Sequence, residues 1–261
     1  MFDSGFGGLT VARAVIDLLP DEDLVYVGDT GRYPYGPRPQ SEVREFARQL
    51  AWSLVKEHDV KALIVACNTA SAAALEVLEA ELPVLVVDVV APGAQALVRA
   101  TRSGKVGVIG TVGTIGSGAY DRAVAATGSD AQLTSAACPG FVEFVERGQT
   151  RGEDVTILAE RLLAPIRDAG VDALLLGCTH YPYLADVIGE VMGPEVTLVN
   201  SADETARAAH AELTQAGLLR ATSTQPAVHR FLSSGDISWF ADLGGRLLGP
   251  ELRDAEQWHH D

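Results

Sequence analysis

Two short stretches of this 261-residue chain are copies of one device: Lys61-Ala-Leu-Ile-Val-Ala-Cys67-Asn-Thr and Asp172-Ala-Leu-Leu-Leu-Gly-Cys178-Thr-His. In each, an apolar run of strand length delivers a cysteine to the strand's carboxyl end, with small polar residues following at once. The cysteines stand 111 residues apart, so a fold that sets one half opposite the other would bring two thiols to one cleft. Thiols on opposite sides of a small substrate suit removal of a proton from one face of a carbon and delivery to the other. An unperturbed thiol titrates at about 8.5. Strand-end N–H groups with Asn, Thr or His side chains favour the thiolate. A modest downward shift is therefore expected, giving one thiolate and one thiol.

Other residues could join them. Asp3-Ser4-Gly5-Phe-Gly7-Gly8 is a glycine-rich turn between a strand and a helix, able to present N–H groups to a carboxylate or phosphate. Asp3 is out of place there unless it meets an ammonium or orients a base; the alternative is a solvent-facing turn. His180, beside Cys178, reads as a general acid, a thiol partner or a helix cap. The long loop Gly28–Pro37 reads as a lid or as a turn-rich connection. Cys138, followed by proline, lacks the polar context of the other two cysteines and reads as structural or as a support behind the residues that touch substrate.

Several chemistries fit poorly. Cys178 and His180 lack the second close-spaced pair expected of zinc, so no metal is expected. The run Gly107–Gly116 is not GxGxxG, and no GxxxxGK[ST] loop is present. The three lysines, Lys56, Lys61 and Lys105, precede or open strands, away from where such sheets hold ligands, which argues against Schiff-base chemistry.

The elements that must position these residues alternate in type. Strands are expected at Leu24–Gly28, Ala62–Ala66, Val84–Asp88, Lys105–Ile109, Gln132–Ala136, Ala173–Gly177 and Val196–Val199. Ser41–His58, with Ser41 as N-cap, carries apolar residues at i, i+3 and i+4 and is the clearest helix. Further helices are expected at Leu9–Leu19, Ala70–Glu81, Ala94–Arg102, Ile115–Thr127, Val155–Ala169 and Ala202–Ala216. The pattern predicts an α/β fold of mostly parallel sheet flanked by helices, with ligands at the strands' carboxyl ends. Met1-Phe-Asp3-Ser4 also aligns with Val108-Ile-Gly110-Thr111 at an offset of 107, close to that of the cysteines, which points to duplicated lobes. The tail after Glu251 reads as frayed.

Composition narrows the partners. A net charge of −15 without a basic cluster argues against nucleic acid. Three sparse cysteines, no leader-like amino terminus and no long apolar run point to a soluble cytoplasmic protein without a membrane span.

Together the motifs resemble the glutamate racemase family of cofactor-independent amino-acid racemases. The resemblance rests on Asp3-Ser-Gly-Phe-Gly-Gly-Leu9, Val27-Gly-Asp29 with Pro34-Tyr35-Gly36, Ala66-Cys67-Asn68-Thr69-Ala-Ser71 and Leu176-Gly-Cys178-Thr179-His180-Tyr-Pro182, with a weaker match at Val199–Ala202. It implies two similar α/β lobes related by a pseudo-twofold axis, with the active site between them. The first lobe would be discontinuous, residues 1–92 plus 207–261, and the second would hold 93–206. Cys67 and Cys178 would be the acid/base thiols, assisted by Asp3 and His180, with Glu146 as a third helper. Asp3 with Ser4, Tyr35 with Gly36, Asn68 with Thr69, and Thr179 with His180 would contact L- and D-glutamate. The family uses no cofactor, often forms homodimers and supplies D-glutamate for peptidoglycan. Its members carry several residues ahead of the first phenylalanine, so either the start lies upstream or the first strand is clipped, loosening Asp3. Related aspartate racemases tend to carry Glu where His180 stands, which favours glutamate. The alternatives are an aspartate racemase, a binding protein for an acidic ligand without turnover, and a gyrase-inhibiting role reported for some members.

Overall fold

The computed structural model describes residues 1–222, 225–252 and 254–259. From the amino end run β1 (Phe2–Asp3), α1 (Leu9–Leu18), β2 (Leu24–Gly28), α2 (Gln40–His58), β3 (Ala62–Val65), α3 (Asn68–Glu81) and β4 (Leu85–Asp88). Next come α4 (Val90–Ala100), β5 (Lys105–Gly110), α5 (Val112–Gly116), α6 (Ala119–Ala126), β6 (Gln132–Ala137), α7 (Phe141–Glu146), α8 (Glu153–Asp168), β7 (Ala173–Gly177), a 3₁₀ turn (Tyr181–Leu184), α9 (Ala185–Met192) and β8 (Thr197–Val199). The chain closes with α10 (Ala202–Gln215), β9 (His229–Ser233), α11 (Ile237–Leu248), a second 3₁₀ turn (Gly249–Glu251) and β10 (Glu256–Gln257). Two compact units result, Met1–Val89 with Ala202–Asp261, and Val90–Ser201.

Each unit is built on one all-parallel sheet, ordered β10-β9-β2-β1-β3-β4 in the first and β6-β5-β7-β8 in the second. The last four strands of the first sheet's order, β2-β1-β3-β4, repeat the order of the whole second sheet, β6-β5-β7-β8. β3 and β7, the strands that deliver the two cysteines, occupy equivalent places. Both are apolar along nearly their whole length because parallel strands are covered on both faces. In α2, Val43, Ala47, Leu50, Ala51 and Leu54 are buried, the single face that the sequence period requires.

The seven strands read from sequence all form, each within a residue of the expected ends. The differences have local causes. Ser41 lies inside α2, whose N-cap is Pro39 with no side-chain capping bond. α4 starts four residues early because Pro92 sits in its first turn, where no intrahelical N–H is needed. The expected helix Ile115–Thr127 is two helices, broken at Gly118 with φ 66°. Most of the tail after Glu251 is not frayed: β10 pairs with β9, and Trp258 is buried with its Nε1 donating to Ser53 Oγ at 2.8 Å. Arg253, His260 and Asp261, part of that expectation, lie outside the described residues.

The expected loosening of Asp3 is also overturned. β1 is only two residues long, yet it is the central strand, with Phe2 opposite Val27 and Val65 and Asp3 opposite Gly28. Asp3 is fully buried and its carbonyl accepts the Asp29 N–H at 3.0 Å. The following turn packs so closely that a Cβ on Gly8 would meet Asp3 Cβ at 2.6 Å, and one on Gly28 would meet the Gly5 carbonyl at 2.4 Å. Glycine at both positions lets the turn lie against the sheet.

Candidate active site

In the first unit, β1 and β3 are neighbours, so the residues leaving their carboxyl ends meet. The Ala66 N–H donates to the Phe2 carbonyl at 2.9 Å, and just beyond that bond Cys67 Sγ lies 3.6 Å from Ser4 Oγ. Asp3 folds its Oδ1 onto the Gly5 N–H at 2.8 Å. Cys67 is the N-cap of α3, and Asn68 and Thr69, in the helix's first turn, are buried. Asp3, Ser4, Cys67, Asn68 and Thr69 are thus gathered at the carboxyl ends of two adjacent strands.

The electrostatics of Cys67 correct an expectation. Burial, and after it the charge of Asp3, push the thiol up to about 11. The Ala70 N–H and the hydroxyl and N–H of Ser4 pull the other way but are outweighed. A helix N-terminus lowers a thiol when the sulfur is partly solvated; here no cation accompanies the desolvation.

Tyr35 enters this unit differently from expected. Its ring is buried against Phe46, with centroids 5.5 Å apart, and its hydroxyl donates to Asp29 Oδ2. Burial and then the Asp29 charge raise its ionisation far above the ordinary tyrosine range. What the Tyr35-Gly36 segment can offer a carboxylate is its backbone. Asp29, to which the sequence assigned no role, is the hub of this loop: fully buried, it accepts also from Arg32 Nε at 2.6 Å and Ser234 Oγ at 2.7 Å. The signal was present as an acidic residue directly after a strand, with Arg and Tyr three and six positions on.

In the second unit, β7 delivers Cys178 to a turn that leads into the 3₁₀ segment rather than into a helix. Cys178 Sγ lies 4.0 Å from His180 Nδ1, and His180 Nε2 lies 3.3 Å from Glu146 Oε1. Cys178, Thr179 and His180 are buried. His180 occupies the N-cap position of the 3₁₀ turn without a side-chain capping bond, so its ring serves the cysteine and the glutamate instead. Glu146 ends α7, which is anchored by the edge-to-face pair Phe141–Tyr181 at 5.3 Å. The Tyr181 hydroxyl donates to the Cys138 carbonyl at 3.1 Å. The Cys138 side chain itself is buried, and desolvation raises its thiol to about 12.

β5 occupies in the second unit the place of β1 in the first, and Thr111 falls where Ser4 does. Thr111 caps α5, accepting the Thr114 N–H at 3.1 Å. The offset noted in the sequence was its signal, but no role was drawn from it. Among the described residues no cluster of three or more His, Cys, Asp or Glu side chains could hold a metal ion, and no helix is long and apolar enough to cross a membrane.

Comparison with known proteins defines the class. Residues 9–209 match the Asp/Glu/hydantoin racemase family, and the chain belongs to that family. It is 53% identical over 252 residues to a glutamate racemase of Parafrankia sp., covering 97% of this chain and 91% of that protein. A glutamate racemase of Acidothermus cellulolyticus is 52% identical, covering 97% and 95%. Among solved structures, a glutamate racemase isoform of Bacillus anthracis superposes with a TM-score of 0.92 at 40% identity, covering 100% and 96%. The Francisella tularensis glutamate racemase in complex with D-glutamate does so with 0.91 at 32% identity, covering 100% and 96%.

Proposed function

We propose that this protein interconverts L- and D-glutamate by transferring a proton between Cα and two cysteines, without a cofactor. The observation that carries the reading is the placement of Cys67 and Cys178 at equivalent strand ends, each beside its own ionisable partner. Similarity to glutamate racemases over nearly the whole chain supports the choice of substrate.

Removing the Cα proton leaves negative charge that no cofactor delocalises. It must be held on the α-carboxylate as an enediolate, by preorganised donors in a site closed to water. Ser4, Asn68, Thr69 and Thr179 are neutral donors of the right kind, and the Tyr35-Gly36 backbone suits a carboxylate. In one direction the Cys178 thiolate takes the proton and becomes a thiol, while the Cys67 thiol gives its proton to the opposite face and becomes a thiolate. The reverse reaction exchanges the roles. Cys67, a thiol through neutral pH, starts as the acid; once deprotonated beside Asp3 it is a strong base. His180, braced by Glu146, assists Cys178. The enzyme works as a cytoplasmic homodimer that supplies D-glutamate for peptidoglycan.

The test is racemisation by the purified protein without pyridoxal phosphate or metal, with aspartate as the control substrate. The wild type should convert both glutamate enantiomers. Cys67→Ser and Cys178→Ser should each lower turnover by about 10²–10⁴-fold in both directions, the range of acid/base catalysis. A variant of either cysteine that keeps full turnover would refute the reading.

A further inference from the structure

The buried carboxylate of Asp29 fixes the Tyr35-Gly36 segment, and what fixes Asp29 comes from the other end of the chain. Arg32 binds Asp29 through Nε and reaches Gln49 Oε1 through Nη1 at 2.5 Å. Its guanidinium lies over the Phe46 ring at 4.2 Å and over the Trp258 ring at 5.6 Å, so two aromatic residues flank the cation. Trp258 is held on three sides. Its N–H donates to the Ser233 carbonyl at 2.8 Å, its indole N–H to Ser53 in α2, and it follows β10 directly. The C-terminal segment grips the loop by a second route: Ser233 Oγ is 2.6 Å from Thr30 Oγ1, and Ser234 Oγ binds both Asp29 and the Gly31 N–H. Trp258, Tyr35 and Cys67 belong to one hydrophobic cluster, so the packing beneath the indole continues to the thiol.

We propose that Trp258 is a positioning residue for the substrate loop, holding Arg32 so that Asp29 fixes the Tyr35-Gly36 backbone. Its kinetic consequence rests on the racemase reading; its effect on the loop does not. Trp258 touches no reacting atom, so its loss weakens binding of a substrate carboxylate more than proton transfer. Phenylalanine keeps an aromatic face for the cation while giving up the bond to Ser53.

The experiment combines amide hydrogen exchange with steady-state kinetics on the full-length protein. In Trp258→Ala, amides of residues 29–36 should exchange on the order of 10-fold faster, while those of β3 and β7 stay as in the wild type. KM for glutamate should rise roughly 5–10-fold with kcat within about 2-fold, and Trp258→Phe should restore most of the KM. If Trp258→Ala does not fold, Arg32→Gln tests the same link with the indole in place and should give the same exchange and KM changes. Wild-type exchange across 29–36 in the variant that folds would overturn the inference, as would an unchanged KM in an active enzyme. A wild type that fails to racemise glutamate would sink the proposed function, while the exchange result would still decide the role of Trp258.

Discussion

The two cysteines occupy equivalent positions in a four-strand order that both sheets share, yet their surroundings differ in kind. Cys67 caps a fourteen-residue helix, lies against the Ser4 hydroxyl, and is raised by burial and by Asp3. Cys178 leads into a single 3₁₀ turn and faces an imidazole backed by a carboxylate. A duplicated frame therefore supplies the placement, and local chemistry makes the thiols unequal. That inequality suits a reaction in which one group must hold a proton while the other lacks it.

The largest expected effect separates the two assistants. Asp3→Asn and His180→Asn should each lower kcat/KM on the order of 10²-fold. The fall must be equal in both directions, because enantiomers have equal free energy in water. The asymmetry belongs in isotope effects measured with Cα-deuterated substrate. Asp3→Asn should enlarge the effect for the enantiomer that Cys67 deprotonates, and His180→Asn for the other. Enlargement for the same enantiomer in both variants would break the comparison.

A smaller effect sharpens the account of Cys67. In the free enzyme its thiolate should appear only as pH climbs toward about 11. Alkylation of Cys67 by iodoacetamide, followed by peptide mass spectrometry, should accelerate through that range. The native fold holds this proton more tightly than the unfolded chain does, from the ordinary value of 9.0 up to about 11. Stability from this group is therefore complete below pH 9.0 and is lost as pH rises through about 11. Rapid alkylation of Cys67 at neutral pH would contradict the assignment.

The smallest effect sits in the second unit, at the opposite end of the pH scale. Asp172 precedes β7 and ties down the turn after α4. Burial pushes its carboxyl up, but bonds from Thr101 Oγ1 and from the Arg102 and Ser103 N–H groups outweigh this and bring it to about 2. Its contribution is present above the ordinary 3.8 and fades as pH falls through about 2. Asp172→Asn should melt lower than the wild type at pH 6, with the gap closing on acidification. A gap that persists below pH 2 would point to packing rather than charge.

The strands that carry the cysteines were legible because buried parallel strands are nearly continuous apolar runs. β9 was not, since His229-Arg230 opens it with polar residues. β1 and β10, two residues each, are too short to show any period, and their existence depends on neighbours distant in sequence. In the site, the local clusters Asp3-Ser4, Cys67-Asn68-Thr69 and Cys178-Thr179-His180 were readable from spacing. The upward shift of Cys67 was not, because it reflects burial and a carboxylate 64 positions away along the chain. The aromatic flank on Arg32 was hidden for the same reason: Phe46 and Trp258 meet only in the fold.

The most direct test of the two-thiol account is to run each glutamate enantiomer separately in deuterated water and follow Cα during the first few per cent of turnover. The account predicts that product carries solvent deuterium while the remaining substrate stays protiated, because the group that takes the proton is not the one that returns it. Early deuterium in unreacted substrate, matching that in product, would mean that one base serves both faces and would contradict the account.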